Sequence, residues 1–388
     1  MGNLFCTTIT TAVKEVEVEV HVKDEKTEEE EGPRGECYEK PRFPSRFPFF
    51  SDKRTLRRAI EKYVQTRGVN CPYGPINTWD VSNITDMSRL FEGCETFNES
   101  LENWDVSRVT NMKGMFQMCT AFNQPLHTWD TSHVTDMSYL FYGCLAFNQP
   151  LHIWDVSHVN NMSNMFAGCR HFNQPLDTWD VSHVVTLSYI FQGCYAFDQP
   201  LQMWNVSHVD NMSNMFAGCL VFDQPLQTWD VSRVYNMVNL FRGCTRFNQP
   251  LDTWNVSRVT FMQGMFSECR RFNQSLQTWD VSNVEDMSGM FRNCTTFDQP
   301  LDNWDVSHVC NMMAMFDGCL VFNQPLADWN VSQVRTMSRM FHFCPAYQHN
   351  LYAWTQQTAY IPQPNGFFTD ADQCRRCLAP EPFAYVLK

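Results

Sequence analysis

Along most of this chain, apolar residues return to the same place every 25 positions, and so do the polar residues between them. The unit from Leu126 to Pro150 sets Leu126, Trp129, Val134, Met137, Leu140, Phe141, Cys144 and Phe147 at fixed offsets. These columns run through the neighbouring units without insertion or deletion. All twelve tryptophans fall on one such series, from Trp79 to Trp354. A fixed period of this length means that one unit is stacked on copies of itself, each burying its apolar face against its neighbours alone.

Two patterns divide the unit. Leu126, Trp129 and position 131, which is Thr131 here and Val at Val106 and Val156, form an L-x-x-W-x-V frame that predicts a short strand. Val134, Met137, Leu140, Phe141 and Cys144 then follow at steps of three, three, one and three, which predicts a short helix. Ser holds the position expected of its N-cap in all eleven units, from Ser82 to Ser332. The column of Gly143 reads as a left-handed helix stop: it is Gly in seven of eleven units and Asn at Asn293, with Met118, Glu268 and Phe343 departing from it. Eleven strands at about 4.8 Å make a parallel sheet roughly 50 Å long. The expected fold is an α/β repeat solenoid, a right-handed coil of leucine-rich-repeat type with a parallel β-sheet and short helices, capped at both ends.

Other columns read as packing. The series Met87, Met112, Met137, Met162, Leu187, Met212 is adaptable core filling. The Asn or Asp column from Asn98 to Asn323 suits bonds to turn amides from coil to coil. Outside the repeats, Leu56, Ala59, Ile60, Tyr63 and Val64 recur at threes and fours, behind Ser51 and Asp52 as candidate caps and before Gly68 as a stop. The resulting organisation is an extended acidic arm over 1–45, a capping helix within 46–76, eleven repeats over 77–351 and a C-terminal cap over 352–388. The arm includes the alternating stretch Glu15 to Val22 and the run Glu28 to Glu31.

Charge and cysteine content narrow the function classes. With 29 Lys and Arg against 42 Asp and Glu, the net charge is -13, which disfavours binding to nucleic acid. Of seventeen cysteines, eleven form one column from Cys94 to Cys344. Stacked identical side chains run parallel and do not face one another, so a ladder of reduced, buried thiols is expected, in a reducing compartment. No apolar run approaches the roughly 18 residues of a membrane span.

The recurring WDVSxVTDMSxLF and FNQPL segments, carried on L-x-x-W-x-V, closely resemble the 25-residue BspA-like leucine-rich repeat also found in mycoplasma-type lipoproteins. The resemblance covers about 51–352. It implies a surface-displayed or membrane-associated binding protein with no catalytic activity attached to the repeat. The start of the chain departs from the pattern, because Cys6 comes too early for a bacterial lipoprotein leader.

What breaks the period carries the candidate chemistry. Met1-Gly2-x-x-x-Cys6 is close to a myristoylation signal, with Gly2 as acyl acceptor and Cys6 as a second, palmitoylated site. Beside each Ser lies a column that is His at His133, His158, His183 and His208 and Arg at Arg233 and Arg258. The histidines suit a pH-sensitive surface, or a metal site if the rings converge. Arg233, Arg242, Arg246, Arg258, Arg270, Arg271 and Arg292 concentrate in adjacent coils of an acidic chain and are candidate partner anchors. Cys374 and Cys377, with His342, Cys344 and His349, form a weaker zinc candidate whose spacing follows no standard pattern. Each Ser-His pair recurs as a repeat column, whereas catalysis needs one asymmetric constellation, so neither enzyme activity nor a cofactor or resident metal is expected. The expected role is a non-enzymatic solenoid that binds a protein partner, with acylation as a route to a membrane surface and an intracellular or virion location. The alternatives are a structural component of a large DNA virus particle and a pH- or metal-responsive module built on the histidines. Intact mass of the native N-terminus checks the acylation: Gly2 carrying an acyl chain is expected, and a retained Met1 or a bare Gly2 would exclude it.

Overall fold

The computed structural model describes residues 48–358, 366–368 and 377–379. The alternating stretch, the glutamate run, Gly2, Cys6 and Cys374 lie outside the described residues. Helix α1 spans Lys53–Thr66. The Asp52 carboxylate caps it by accepting from the Thr55 amide at 3.0 Å, and the chain leaves through Arg67 in the left-handed region. Its buried face is Leu56, Ala59, Ile60 and Tyr63, and the Tyr63 ring meets Trp79 edge-on at 5.8 Å. Beside it, the Phe50 amide donates to the Asp80 carbonyl and the Asp80 amide to the Pro48 carbonyl, both at 3.0 Å.

The stack of coils that follows contains neither the strands nor the helices that the pattern predicts. Among the described residues, the other helical segments are a 3-10 turn, Ile76–Thr78, and α2, Tyr352–Gln357. Among the described residues, parallel pairing is limited to isolated bridges: one column from Asp86 with Asn111 to Asn311 with Thr336, and one at each end, Phe49 with Asp80 and Phe341 with Phe368. An α/β solenoid with a parallel sheet is therefore corrected to a stack of turns.

The coil around Phe166 shows why. Trp154 donates to Leu151, Val159 to Val156, Met165 to Met162, Ala167 to Asn164, Cys169 to Phe166 and Phe172 to Cys169, each amide reaching a carbonyl three residues back at 2.9–3.2 Å. A step of three is the span of a β-turn, and here it places an apolar residue at each end of most turns. The amides of Asn164, Phe166 and Gly168 instead donate to Ser188, Ile190 and Gln192 of the next coil, at 2.9, 2.9 and 2.6 Å. Two residues per coil make this division, Asn164 at φ 60 and Gly168 at φ 81. An α-helix requires negative φ throughout and bonds within its own segment, so two left-handed residues four apart in this stretch exclude it. The column of Gly143, expected to stop a helix, is one of these turn positions, and Met118, Glu268 and Phe343 adopt the same conformation at φ 53–66.

The expected strand is replaced by side-chain bonds. Trp154 Nε1 donates to the Leu126 carbonyl at 3.0 Å, and the same bond recurs from Trp104 to Ile76 through to Trp354 with Leu326. Next to it, Cys169 Sγ donates to the Phe141 carbonyl at 3.1 Å. Burial pushes the column thiols far above their ordinary range, and Cys119 through Cys319 are free and buried. The Asn ladder is present: the Asn148 and Asn173 amides donate to Oδ1 of Asn123 and Asn148, both at 2.9 Å.

Two phenylalanine columns run through the interior. Within a coil, Phe191 and Phe197 stack at 4.1 Å, and between coils Phe191 lies 5.9 Å from both Phe166 and Phe216. Each such pair adds about 0.5–1.5 kcal/mol to the area it buries. At the far end, the Phe341 amide donates to the Phe367 carbonyl at 3.0 Å, and Phe367 and Phe368 are fully buried. Truncation of Phe191 to Ala is expected to cost about 3–5 kcal/mol. Urea unfolding measures the loss, and hydrogen exchange should show the defect confined to the coils on either side, as nearest-neighbour stacking requires.

Candidate functional site

Five consecutive coils carry glycine at the second left-handed turn position. Gly143, Gly168, Gly193, Gly218 and Gly243, at φ 70–81, form the floor of a trough of about 640 Å³ that crosses the coils. Their amides are already used, each donating to the next coil at 2.6–2.7 Å. One wall is the column Tyr142, Ala167, Gln192, Ala217, Arg242, and the other carries Tyr195, Leu220, Thr245 and Arg270. Met118 ends the floor on one side, its thioether lying over Gly143, and Glu268 ends it on the other.

The walls are unlike along their length. Near Gly193 the lining is apolar and aromatic, with Tyr195 and Leu220 more than two-fifths exposed. Tyr195 also lies under the Arg170 guanidinium at 5.6 Å. Near Gly243 the lining is charged: Arg242 and Arg270 are exposed beside Glu268, and neither arginine forms an ion pair within 4 Å among the described residues.

The other candidate arginines are distributed elsewhere. Arg246 and Arg271 share one exposed column beside that of Arg270, and Arg233 and Arg258 stand with the histidines. Arg292 is engaged with Asp317, a buried carboxylate whose Oδ2 lies 3.7 Å from Arg292 Nε and 3.3 Å from Arg339. His342 Nδ1 holds the other oxygen at 3.0 Å. The structure thus brings together Arg242 and Arg270 of the seven.

His133, His158, His183 and His208 are exposed and stacked by the period. Nδ1 of the first three lies 3.2, 3.3 and 3.4 Å from the preceding Ser hydroxyl. That Ser is not a helix cap: the Ser132 amide and hydroxyl both donate to Asp130 Oδ1, at 3.0 and 2.7 Å, closing an Asx turn. The donated serine bonds, hydroxyl first, hold the carboxyls of Asp130, Asp155, Asp180, Asp230 and Asp305 below their ordinary range. Of the zinc candidate, Cys344 Sγ donates to the Phe316 carbonyl at 2.6 Å, and His349 Nε2 lies 2.9 Å from the Asn323 carbonyl. Among the described residues no three metal-ligating side chains gather.

Sequence reasoning missed the trough because it read the glycines as helix stops. A usable signal was present in the adjoining column, where Tyr142, Ala167, Gln192, Ala217, Arg242 and Ser267 alternate large and small.

The aspartate shifts have a pH consequence. A carboxyl depressed in the folded state stabilises it above the unfolded pKa, about 3.9, and that contribution is lost as pH falls through the folded value. Replacing Asp130, Asp155 and Asp180 by Asn keeps the turn acceptor, as Asn205 does with Ser207 at 2.7 Å. The triple variant should melt like the parent at pH 7 and lose less stability below pH about 4. An unchanged acid slope in thermal melts would rule out this account.

Comparison with known proteins places the repeats. The sequence profile of a family described as "Mycoplasma protein of unknown function, DUF285" matches residues 60–179, 160–279 and 262–379. No curated protein matches the chain significantly. The match supports a Mycoplasma-type repeat protein and does not single out the BspA-like leucine-rich repeat. With the matched segments running through most of its length, this chain belongs to the DUF285 family of repeat proteins.

Proposed function

We propose that this repeat protein is a non-enzymatic binding module that presents the trough to a protein partner. The observation that carries the reading is the trough itself. It is a long open depression with a rigid, hydrogen-bonded floor, aromatic walls at one end, and at the other Glu268 and two arginines that form no ion pair among the described residues. Tyr and Arg are the side chains most often found as anchors of protein contacts. Every coil is locked to the next through its backbone, so the walls are held in place before a partner arrives and little ordering cost attaches to binding. The resemblance of the repeat consensus to BspA-like surface proteins supports the same class of role. Among the described residues no helix is long and apolar enough to cross a membrane. Attachment to a membrane surface is proposed through acylated Gly2 and Cys6, independently of the trough.

Site-directed photocrosslinking tests the reading. A photoreactive residue at Gln192, on the trough wall, is compared with one at His183 on the histidine column, in the full chain exposed to extract of its native source. A discrete protein adduct from position 192 that disappears when Gly218 is replaced by Asn is expected. Adducts from position 183 alone, or with nucleic acid, would overturn the proposal.

A further inference from the structure

Past the end of the trough its wall column becomes a charged cluster. Arg292, Asp317 and His342 follow one another down that column, and Arg339 joins them from a left-handed turn position at φ 61. Asp317 is the buried member, its side chain 6% exposed, whereas those of Arg292 and Arg339 are each 51% exposed. Both guanidiniums face the same carboxylate oxygen, Oδ2, through Arg292 Nε at 3.7 Å and Arg339 Nη2 at 3.3 Å. His342 Nδ1 holds the other oxygen at 3.0 Å and lies 3.1 Å from Arg339 Nη2.

A carboxylate taken out of water needs one opposite charge to offset it, and here two stand over it. Counting His342 as neutral, one positive charge is in surplus. Glu268, whose amide donates to the Arg292 carbonyl, adds a carboxylate one coil earlier, and Arg270 of the same coil matches it in number. The two guanidiniums turn their remaining N–H groups to solvent, and among the described residues those groups have no acceptor. Asp317 fixes both from beneath, so little side-chain freedom is left to lose on binding. The border is apolar: the Phe343 ring lies 4.1 Å from the His342 ring, and Phe343, Leu320 and Val321 are each about half exposed.

Resting on the protein-binding reading above, but at a place separate from the trough, we propose that Arg292 and Arg339 form a carboxylate-recognition site. Its ligand is an acidic side chain or the terminal carboxylate of a partner polypeptide, next to an apolar residue that covers Phe343 and Leu320. The charge count selects this chemistry. One surplus positive charge matches a carboxylate, whereas a phosphate monoester, at about −1.5 to −2, would leave net negative charge above Asp317 and Glu268. A guanidinium also meets a carboxylate through two parallel N–H bonds in one plane.

Saturation-transfer NMR on the full chain uses four probes. Acetyl-leucine carries a terminal carboxylate, acetyl-Leu-Glu-amide a side-chain carboxylate, acetyl-Leu-Gln-amide neither, and acetyl-Leu-phosphoserine-amide a phosphate. At least one carboxylate probe should bind saturably and at least about tenfold more tightly than the Gln probe. Acetyl-leucine alone would identify a chain terminus as the source, acetyl-Leu-Glu-amide alone an acidic side chain, and both together either source. Arg292→Gln and Arg339→Gln should each abolish the preference, and Arg335→Gln, an exposed arginine of the same coil as Arg339 on another column, should leave it unchanged. Should a glutamine variant unfold, Arg292→Lys is read in its place, because it keeps a charge beside Asp317 and loses only the planar fork. Absence of a carboxylate preference, its survival in a folded cluster variant, its equal loss in Arg335→Gln, or tighter binding of the phosphoserine probe than of both carboxylates would overturn the inference. Crosslinks from Gln192 report on the trough alone, so the two readings fail separately.

Discussion

Every coil depends on the direction in which its amides point. Two left-handed residues four apart, such as Asn164 and Gly168, turn alternate N–H groups out of the coil and toward the next. Other amides close turns of three within the coil, bond Asp and Asn side chains, or reach the coil before. Backbone donors are thus shared between local turns and the stack, and few are left without a partner in the interior. An insertion of one residue would shift every bond downstream of it, which explains why the period holds without interruption.

Strict register has a second effect. When coils superimpose, identical residues stack on their own images, so a column behaves as one extended object. Phenylalanines become two continuous stacks, tryptophans a series of indole-to-carbonyl bonds, and cysteines a file of buried thiols donating to the coil before. A run of glycines likewise becomes a trough. A single missing side chain on a globular surface leaves a dimple, but five in register leave a trough that crosses the coils.

Much of this was legible by columns. Tryptophan, methionine, cysteine and phenylalanine were readable as interior from their invariance, the Asn ladder from its polarity at a turn, and α1 from its apolar threes and fours behind Asp52. The secondary structure was not, because apolar steps of three and four fit both an amphipathic helix and a train of turns. The deciding signal was the column Gly114, Asn164, Asn214, Asn239, Gly264, Gly289. Its enrichment in Gly and Asn marks positive φ, but Tyr139, Tyr189, Arg89 and Arg339 interrupt it and hide the conformation they share. The arginines were recognisable as a group, yet only Arg242 and Arg270 line the trough, since Arg292 turns to the buried Asp317.

From the sequence alone came the period, the number of coils, the identity of the buried columns and the family's repeat character. These follow from composition at fixed offsets, and offset is a property of the chain. Tertiary structure decided which amides bond along the stack, which arginines have partners, and that small residues on adjoining columns combine into one trough. Those outcomes depend on backbone direction and on the distance between residues 25 apart, and neither is encoded at any single position.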